Sequence, residues 1–198
     1  MILEIWMAWA VSALILFLLL QKRTIKLWQK SILLLCCLGL MAIPVDGLPL
    51  AAYWRGFFGD LSTITQTWLL FAAIGAFRSK PLMAPAERVT LAVWLVILGA
   101  LLYPASLGLS IIDPYQWGYQ PVWLTLAVVV IGIQLWWRKY WWATLLLTSA
   151  LIDFQHRMTE SNNLWDYLID PALWIYCFWI LLRSRRPEGS APIVQHGG

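Results

Sequence analysis

The stretch "VWLTLAVVVIGIQLWWRKYWWATLLLTSALIDFQHR" (residues 122–157) decides the fold. Two apolar runs of helical length lie on either side of the pair Arg138 and Lys139, and ionisable side chains return only from Asp153 onward. Neither run carries a charge at its centre. This pattern predicts two membrane-spanning helices joined by a short basic turn.

The rest of the chain has the same character. Of its 198 residues, 61% are hydrophobic and only 12% are charged, and the mean hydropathy is +0.71. A soluble domain has about 25% charged residues, and no soluble core of this size could bury so much apolar surface. Many of the 15 Trp lie near the ends of apolar runs, as in the aromatic belts of membrane proteins.

We therefore predict an all-α polytopic membrane bundle with about seven transmembrane helices. The first apolar run lacks a basic segment before it and a cleavage motif after it, so we interpret it as a retained helix. The transmembrane domain takes in residues 1–186, and residues 187–198, rich in Pro, Gly and Ser, are predicted to be disordered. The predicted spans are residues 2–20, 27–44, 61–77, 89–106, 119–137, 141–156 and 171–183.

Charge orients this bundle. With the N-terminus outside and the C-terminus in the cytoplasm, the inner connections receive 12 of the 14 basic residues and the outer connections receive 8 of the 10 acidic residues. The positive-inside rule predicts this orientation, and with it a protein integral to a bacterial-type cytoplasmic (inner) membrane. The inner basic residues are Lys22, Arg23, Lys26, Lys30, Arg78, Lys80, Arg88, Arg138, Lys139, Arg183, Arg185 and Arg186.

The outer loops are residues 44–60, 107–118 and 157–170. The first contains "AAYWRGFFGD" (residues 51–60) and an Asp46-Gly47 turn. Asp60 precedes span three and is interpreted as its N-cap. Arg55, beside Trp54, is predicted either to pair with an outer carboxylate or to reach lipid headgroups.

The octapeptide "RGFFGDLS" (residues 55–62) resembles a stretch in the membrane-embedded N-terminal part of lipoteichoic-acid-synthase-like phosphotransferases. The resemblance covers these eight residues alone, so it transfers no residue role and no activity to this chain.

Three further caps are predicted in the other outer loops. Asp113 and Asp170 each precede a proline, the arrangement of an N-cap followed by Pro at the first helical position. Asn163 is predicted to cap a short amphipathic helix, "LWDYLI" (residues 164–169), lying on the membrane interface.

The third outer loop carries the candidate catalytic residues Asp153, His156 and Glu160. If span six continues as a helix, these residues and Arg157 fall at positions i, i+3, i+4 and i+7, on one face. An acid–histidine–arginine–acid stripe at the membrane edge could move protons or hold a phosphate group. The alternative is a set of ion pairs that only ends a helix.

Three functions remain open. The first is a subunit that binds membrane lipids, or another membrane protein subunit, in cell-envelope assembly, with a polar acidic site at the outer (periplasmic) face. The second is an enzyme that acts on a lipid-linked substrate bearing phosphate or glycan at the outer leaflet. The third, a transporter component, is disfavoured because the span centres carry almost no charge. The residues proposed to bind substrate or lipid are Trp54, Arg55, Asp60 and Arg157.

The sequence identifies no cofactor. All three cysteines lie inside apolar runs without a CxxC pair, so no metal site is predicted. No pattern in the chain favours nucleic-acid binding.

Overall fold

A computed structural model describes residues 2–22, 25–106 and 113–185. In this part of the chain the protein is all-α, with nine α-helices, one 3-10 turn and one two-stranded hairpin. The prediction of an all-α fold is therefore confirmed. The predicted disordered tail and half of the predicted loop 107–118 (residues 107–112) lie outside the described residues.

Seven helices form the body of the protein. They run alternately up and down along the chain, and each begins and ends within four residues of a predicted segment. The apolar runs set these positions, and Pro, Gly or charged residues interrupt each run. The seven are α1 (Ile2–Leu20), α2 (Leu27–Ala42), α4 (Thr63–Arg78), α5 (Pro85–Ser106), α6 (Val122–Trp137), α7 (Trp141–His156) and α9 (Pro171–Ser184).

Short elements gather where α2, α5 and α7 end. A hairpin pairs Pro44–Val45 with Leu48–Pro49 around Asp46 and Gly47, both with positive φ, so the predicted turn is present. The helix α3 (Leu50–Phe58), the 3-10 turn Pro114–Gly118 and the helix α8 (Leu164–Leu168) follow. We name this end of the bundle, residues 43–62 and 113–121 and 157–170, the acidic end. The opposite end, where α1 and α4 end and α2, α5 and α7 begin, is the basic end; its described residues are 21–22, 25–30, 79–88 and 138–140.

The core has two parts that meet at α4. The larger part is formed by helices α4 through α9, and Ile64 and Leu91 are among its fully buried side chains. The smaller part joins α1, α2 and α3 to the other side of α4 through Phe17, Cys37 and Ala73. Helix α4 therefore connects α1–α3 to the rest of the protein.

One described helix is long and apolar enough to cross a membrane by itself, Pro85–Ala105 within α5. Four shorter helices are also apolar: Ile5–Leu20, Leu27–Ala42, Val122–Trp137 and Pro171–Ser184. A helix of 16 residues is about 24 Å long, less than the hydrocarbon thickness of about 30 Å. The number of spans and the orientation thus stay predictions.

Candidate functional site

The loops of the acidic end are joined by hydrogen bonds. Trp165 Nε1 donates to the carbonyl oxygen of Pro114 at 2.8 Å, and Asn163 Nδ2 donates to that of Tyr115 at 3.0 Å. Gly118 lies against the same asparagine, so closely that a Cβ at this position would be 1.6 Å from Asn163 Oδ1. Only glycine therefore permits this contact between the 3-10 turn and α8.

The predicted caps at Asp113, Asn163 and Asp170 are present. Their side chains accept hydrogen bonds from the backbone N–H groups of Tyr115, Trp165 and Leu173. Helix α8, however, is packed inside the protein and is not exposed as an amphipathic surface helix would be. Leu164, Trp165, Tyr167 and Leu168 are buried, because α8 packs against α4, α7 and the 3-10 turn.

Asp170 joins the N-termini of two helices. Besides capping α9, its buried carboxylate accepts hydrogen bonds from the backbone N–H of Ser62 at 3.0 Å and from the Ser62 hydroxyl at 2.8 Å. The Thr65 hydroxyl donates to the same oxygen. A carboxylate in this position is favoured by the positive ends of both α4 and α9.

The interpretation of Asp60 as the cap of α4 is wrong. Ser62 is the N-cap, and its hydroxyl accepts from the N–H of Thr65. Asp60 instead accepts two parallel hydrogen bonds from Arg55, at 2.6 and 2.7 Å. The positive φ of Gly59 turns the chain at the end of α3 and brings the two side chains together.

Arg55 pairs with a carboxylate of a predicted outer loop, that of Asp60, as expected. A second carboxylate, that of Glu160, lies 3.7 Å from its guanidinium. Trp54 stacks against Phe58, with 4.3 Å between the ring centroids. Trp54, Arg55 and Asp60 line a crevice of about 20 Å³ against α1, which is room for one water molecule and not for a substrate.

The predicted helical stripe is interrupted. Helix α7 ends at His156, and Arg157 takes a left-handed conformation (φ +51°), so Glu160 does not continue the face of Asp153. Asp153 remains close enough to His156 to interact with it electrostatically. The imidazole is exposed and does not face the interior. The catalytic roles of Asp153, His156 and Glu160 stay predictions.

The two arginines of the acidic end face different cavities. Arg157 lines one of about 330 Å³ together with Tyr119 and Gln155, whereas Arg55 lines the small crevice against α1. The structure therefore does not bring Arg55 and Arg157 to one shared cavity.

A separate cavity of about 210 Å³, which we name the acidic cavity, is lined by carboxylates and phenols. Asp166 accepts hydrogen bonds from the Tyr115 hydroxyl at 3.2 Å and from the Ser161 hydroxyl at 2.5 Å. Burial, together with the charge of Asp166, raises the pKa of Tyr115, so its phenol remains a donor at neutral pH. The lining residues are Asp60, Leu102, Tyr103, Tyr115, Asp166, Ile169, Asp170 and Pro171.

Sequence reasoning missed Tyr103 and Asp166 as residues of this cavity. Tyr103 lies in the last turns of an apolar helix, where the sequence does not distinguish it from a core residue. Its ring packs against Trp174, with 4.8 Å between the centroids. Asp166 lies within the predicted short amphipathic helix (residues 164–169), where a charged residue has the pattern of a solvent-facing side chain. The available signal was the spacing of four residues between Asp166 and Asp170, which places the two carboxylates on either side of one short turn.

Among the residues that the structure describes, no group of three or more His, Cys, Asp or Glu side chains is arranged to hold a metal ion. The carboxylates of the acidic cavity are instead directed to hydroxyl and N–H donors. Comparison with known proteins gives no further information on the site, because no protein-family model, no curated protein and no solved structure matches this chain.

Proposed function

We propose that this protein is a non-catalytic subunit of a bacterial-type inner membrane that binds a lipid with a small cationic headgroup in the acidic cavity. The observation that carries the proposal is the cavity lining of three carboxylates, from Asp60, Asp166 and Asp170, and two phenols, with apolar side chains between them. The seven body helices are the membrane spans, with the acidic end outside.

The surface of the bundle supports the membrane placement. Large apolar side chains are exposed along the body helices, for example Leu19 (76%), Val122 (72%) and Ile175 (66%). A soluble monomer rarely exposes a contiguous apolar patch beyond a few hundred Å². The charged residues lie at the two ends, and segments next to the shorter helices, such as α3, can extend the apolar belt.

The size of the acidic cavity favours a small headgroup. Its 210 Å³ corresponds to about seven water molecules at about 30 Å³ each, less than the 300 Å³ or more of a typical ligand pocket. Carboxylates attract an ammonium group, and phenol rings add a cation–π contribution. An amine-bearing phospholipid headgroup fits these properties better than a glycan does.

The polar groups around the cavity favour binding over catalysis. Asp170 is occupied by four donors from α4 and α9, and Asp60 by the Arg55 guanidinium. A general base needs a free acceptor within hydrogen-bond reach of a substrate. The alternative, an enzyme on lipid-linked substrates, depends on His156, which is exposed outside this cavity.

Native mass spectrometry of the protein in a neutral detergent tests this function. We expect one phosphatidylethanolamine molecule to stay bound to the wild type and Asp166→Asn to weaken its retention about tenfold, because a charged hydrogen-bond acceptor is lost. The matched control is Asp113→Asn, which makes the same change at a carboxylate outside the cavity. Equal retention in all three proteins would refute the headgroup site.

The same experiment examines the enzymatic alternative. Conversion of an added lipid-linked substrate to a product of different mass, lost in His156→Ala but not in Asp166→Asn, would establish an enzyme in place of a binding subunit.

The orientation has its own test. A reporter that is active only in the periplasm should be inactive when fused after Arg186 and active when inserted at Asn162. The opposite pair of results would reverse the topology and place the acidic cavity on the cytoplasmic side.

A further inference from the structure

A cavity of about 400 Å³ at the basic end is lined by basic side chains. It lies between α1 and α2 on one side and α4, α5 and α9 on the other, at the junction of the two parts of the core. Lys30, Lys80 and Arg88 line it, and its lining contains no carboxylate. The cavity therefore carries a local charge of about +3.

Lys30 is the first sign that this cavity holds an anion. Its side chain is only 3% exposed, and its ammonium donates one hydrogen bond, to the carbonyl oxygen of Ala76. An ammonium group has three donors, and within the described ranges no carboxylate lies within ion-pair distance of it. A buried cation without a counter-charge is costly.

Arg88 is the second, independent sign. Its Nε atom is fully buried and has no hydrogen-bond partner among the described residues. Arg88 comes from α5 and Lys30 from α2, so two separate helices each direct a cation into the same cavity. A planar guanidinium with free donors suits a phosphate group, which can accept two parallel hydrogen bonds.

The chain between α4 and α5 completes the cavity. Gly75 lets this loop fold back over α4, since a Cβ there would be 3.1 Å from the carbonyl oxygen of Lys80 and 3.3 Å from the Cα of Pro81. This close approach places exposed Lys80 at the margin of the cavity. The arrangement is thus built by backbone packing and does not depend on flexible surface lysines alone.

The remaining lining is mostly apolar. Leu18, Trp68, Phe71 and Met83 are among its apolar lining side chains. A free inorganic anion would gain nothing from these side chains, whereas a phospholipid would bury part of its glycerol and acyl carbons against them.

We infer that the cavity of the basic end binds the phosphate of an anionic molecule, with Arg88 and Lys30 as its ligands and Lys80 at its margin. This inference does not rest on the headgroup site at the acidic end. The proposed topology places the cavity at the inner leaflet, where anionic phospholipids supply such phosphates. A soluble phosphate-bearing molecule has the same recognition chemistry.

The test is phosphatidylglycerol binding to the full chain in a neutral detergent, measured by native mass spectrometry. We expect one phosphatidylglycerol per protein, and phosphatidylcholine with the same acyl chains to be retained about tenfold less. Arg88→Gln should weaken the binding about tenfold or more, because a charged donor to phosphate is removed. Arg138→Gln, the same change at an exposed basic-end residue outside the cavity, should leave it unchanged.

A competition experiment separates the two sources of phosphate. Inorganic phosphate at millimolar concentration should not displace phosphatidylglycerol if the ligand is a lipid. Complete displacement would still support the anion site and would identify its ligand as a soluble phosphate compound.

The decisive outcome is the comparison of Arg88→Gln with Arg138→Gln. Equal retention of phosphatidylglycerol by these two variants and the wild type, or no retention by any of them, would overturn the inference. If Lys30→Met folds, its phosphatidylglycerol retention gives a further comparison. The retention by Arg88→Gln decides the inference without it. Because Asp166→Asn should leave phosphatidylglycerol binding intact, failure here is distinguishable from failure of the acidic-end site.

Discussion

The charged side chains at the two ends of the bundle differ in their hydrogen bonding. At the acidic end, Asp60, Asp166 and Asp170 each accept hydrogen bonds from side chains nearby. At the basic end, Lys30 and Arg88 are directed into a cavity whose described lining contains no carboxylate. The carboxylates are therefore hydrogen-bonded without a ligand, and Asp166 and Asp170, whose donors are uncharged, keep their negative charge for a headgroup, whereas the Arg88 Nε has no partner among the described residues.

Glu87, the one described acidic residue of the basic end, is hydrogen-bonded within the protein, as are the carboxylates of the acidic end. Buried Glu87 accepts hydrogen bonds from the backbone N–H groups of Ala84 and Ala143. It therefore ties the start of α5 to the start of α7, and among the described residues it forms no ion pair with its neighbour Arg88. The contrast between the ends thus lies in hydrogen bonding: these carboxylates accept bonds from within the protein, whereas the Arg88 Nε has no partner among the described residues.

The largest effect is expected from Asp170→Ala. This change removes the cap of α9 and leaves the buried N–H of Ser62 without an acceptor, which should lower the free energy of unfolding by about 3 kcal/mol. Thermal unfolding in detergent measures it. Asp113→Ala, at an exposed cap, should cost about 1 kcal/mol or less. Equal losses of unfolding free energy in the two variants would show that the additional hydrogen bonds between Asp170 and Ser62 do not stabilise the fold.

Gly118→Ala comes next. The new methyl group would overlap Asn163 Oδ1, so the 3-10 turn must move away from α8, at a cost of about 2 kcal/mol. The matched control is Gly132→Ala in the middle of α6, where no heavy atom lies within 4 Å; this change should stabilise by up to about 1 kcal/mol. Unfolding temperatures of the two variants should therefore move in opposite directions.

Neighbouring residues of the basic end offer a sharper comparison. Glu87→Gln should destabilise the lipid-free protein by about 1.5 kcal/mol, because one of two backbone donors loses its acceptor. Arg88→Gln should change stability by no more than about 0.5 kcal/mol, since the described structure gives its Nε no partner to lose. Added phosphatidylglycerol should raise the unfolding temperature of Glu87→Gln but not of Arg88→Gln. A large loss of stability in Arg88→Gln without lipid would make this arginine structural.

The smallest effect is expected at Arg55 and Asp60. Their geometry is bidentate, but the Asp60 side chain is 43% exposed, and exposed pairs contribute about 0.5 kcal/mol. A double-mutant cycle with Arg55→Gln and Asp60→Asn measures this coupling through unfolding free energies. A coupling above about 2 kcal/mol would mean that the acidic end shields this pair from water.

The sequence by itself determined the features that depend on near neighbours in the chain. Apolar runs bounded by Pro, Gly or charge placed the seven body helices, and the side chains of Asp113, Asn163 and Asp170 reach N–H groups two or three residues ahead. Composition determined the apolar surface and the opposite charge of the two ends. Each of these follows from helical periodicity and local hydrogen bonding.

Only the tertiary structure decided which distant groups meet. Asp170 reaches Ser62 across 108 residues of sequence, and Arg88 and Lys30 enter one cavity from different helices. Asp60 was misassigned because two acceptors, Asp60 and Ser62, precede α4, and the turn at Gly59 directs the first of them to Arg55. The physical reason is that chain composition fixes which groups need partners, whereas the packing of α4 between the two parts of the core fixes which partners they find.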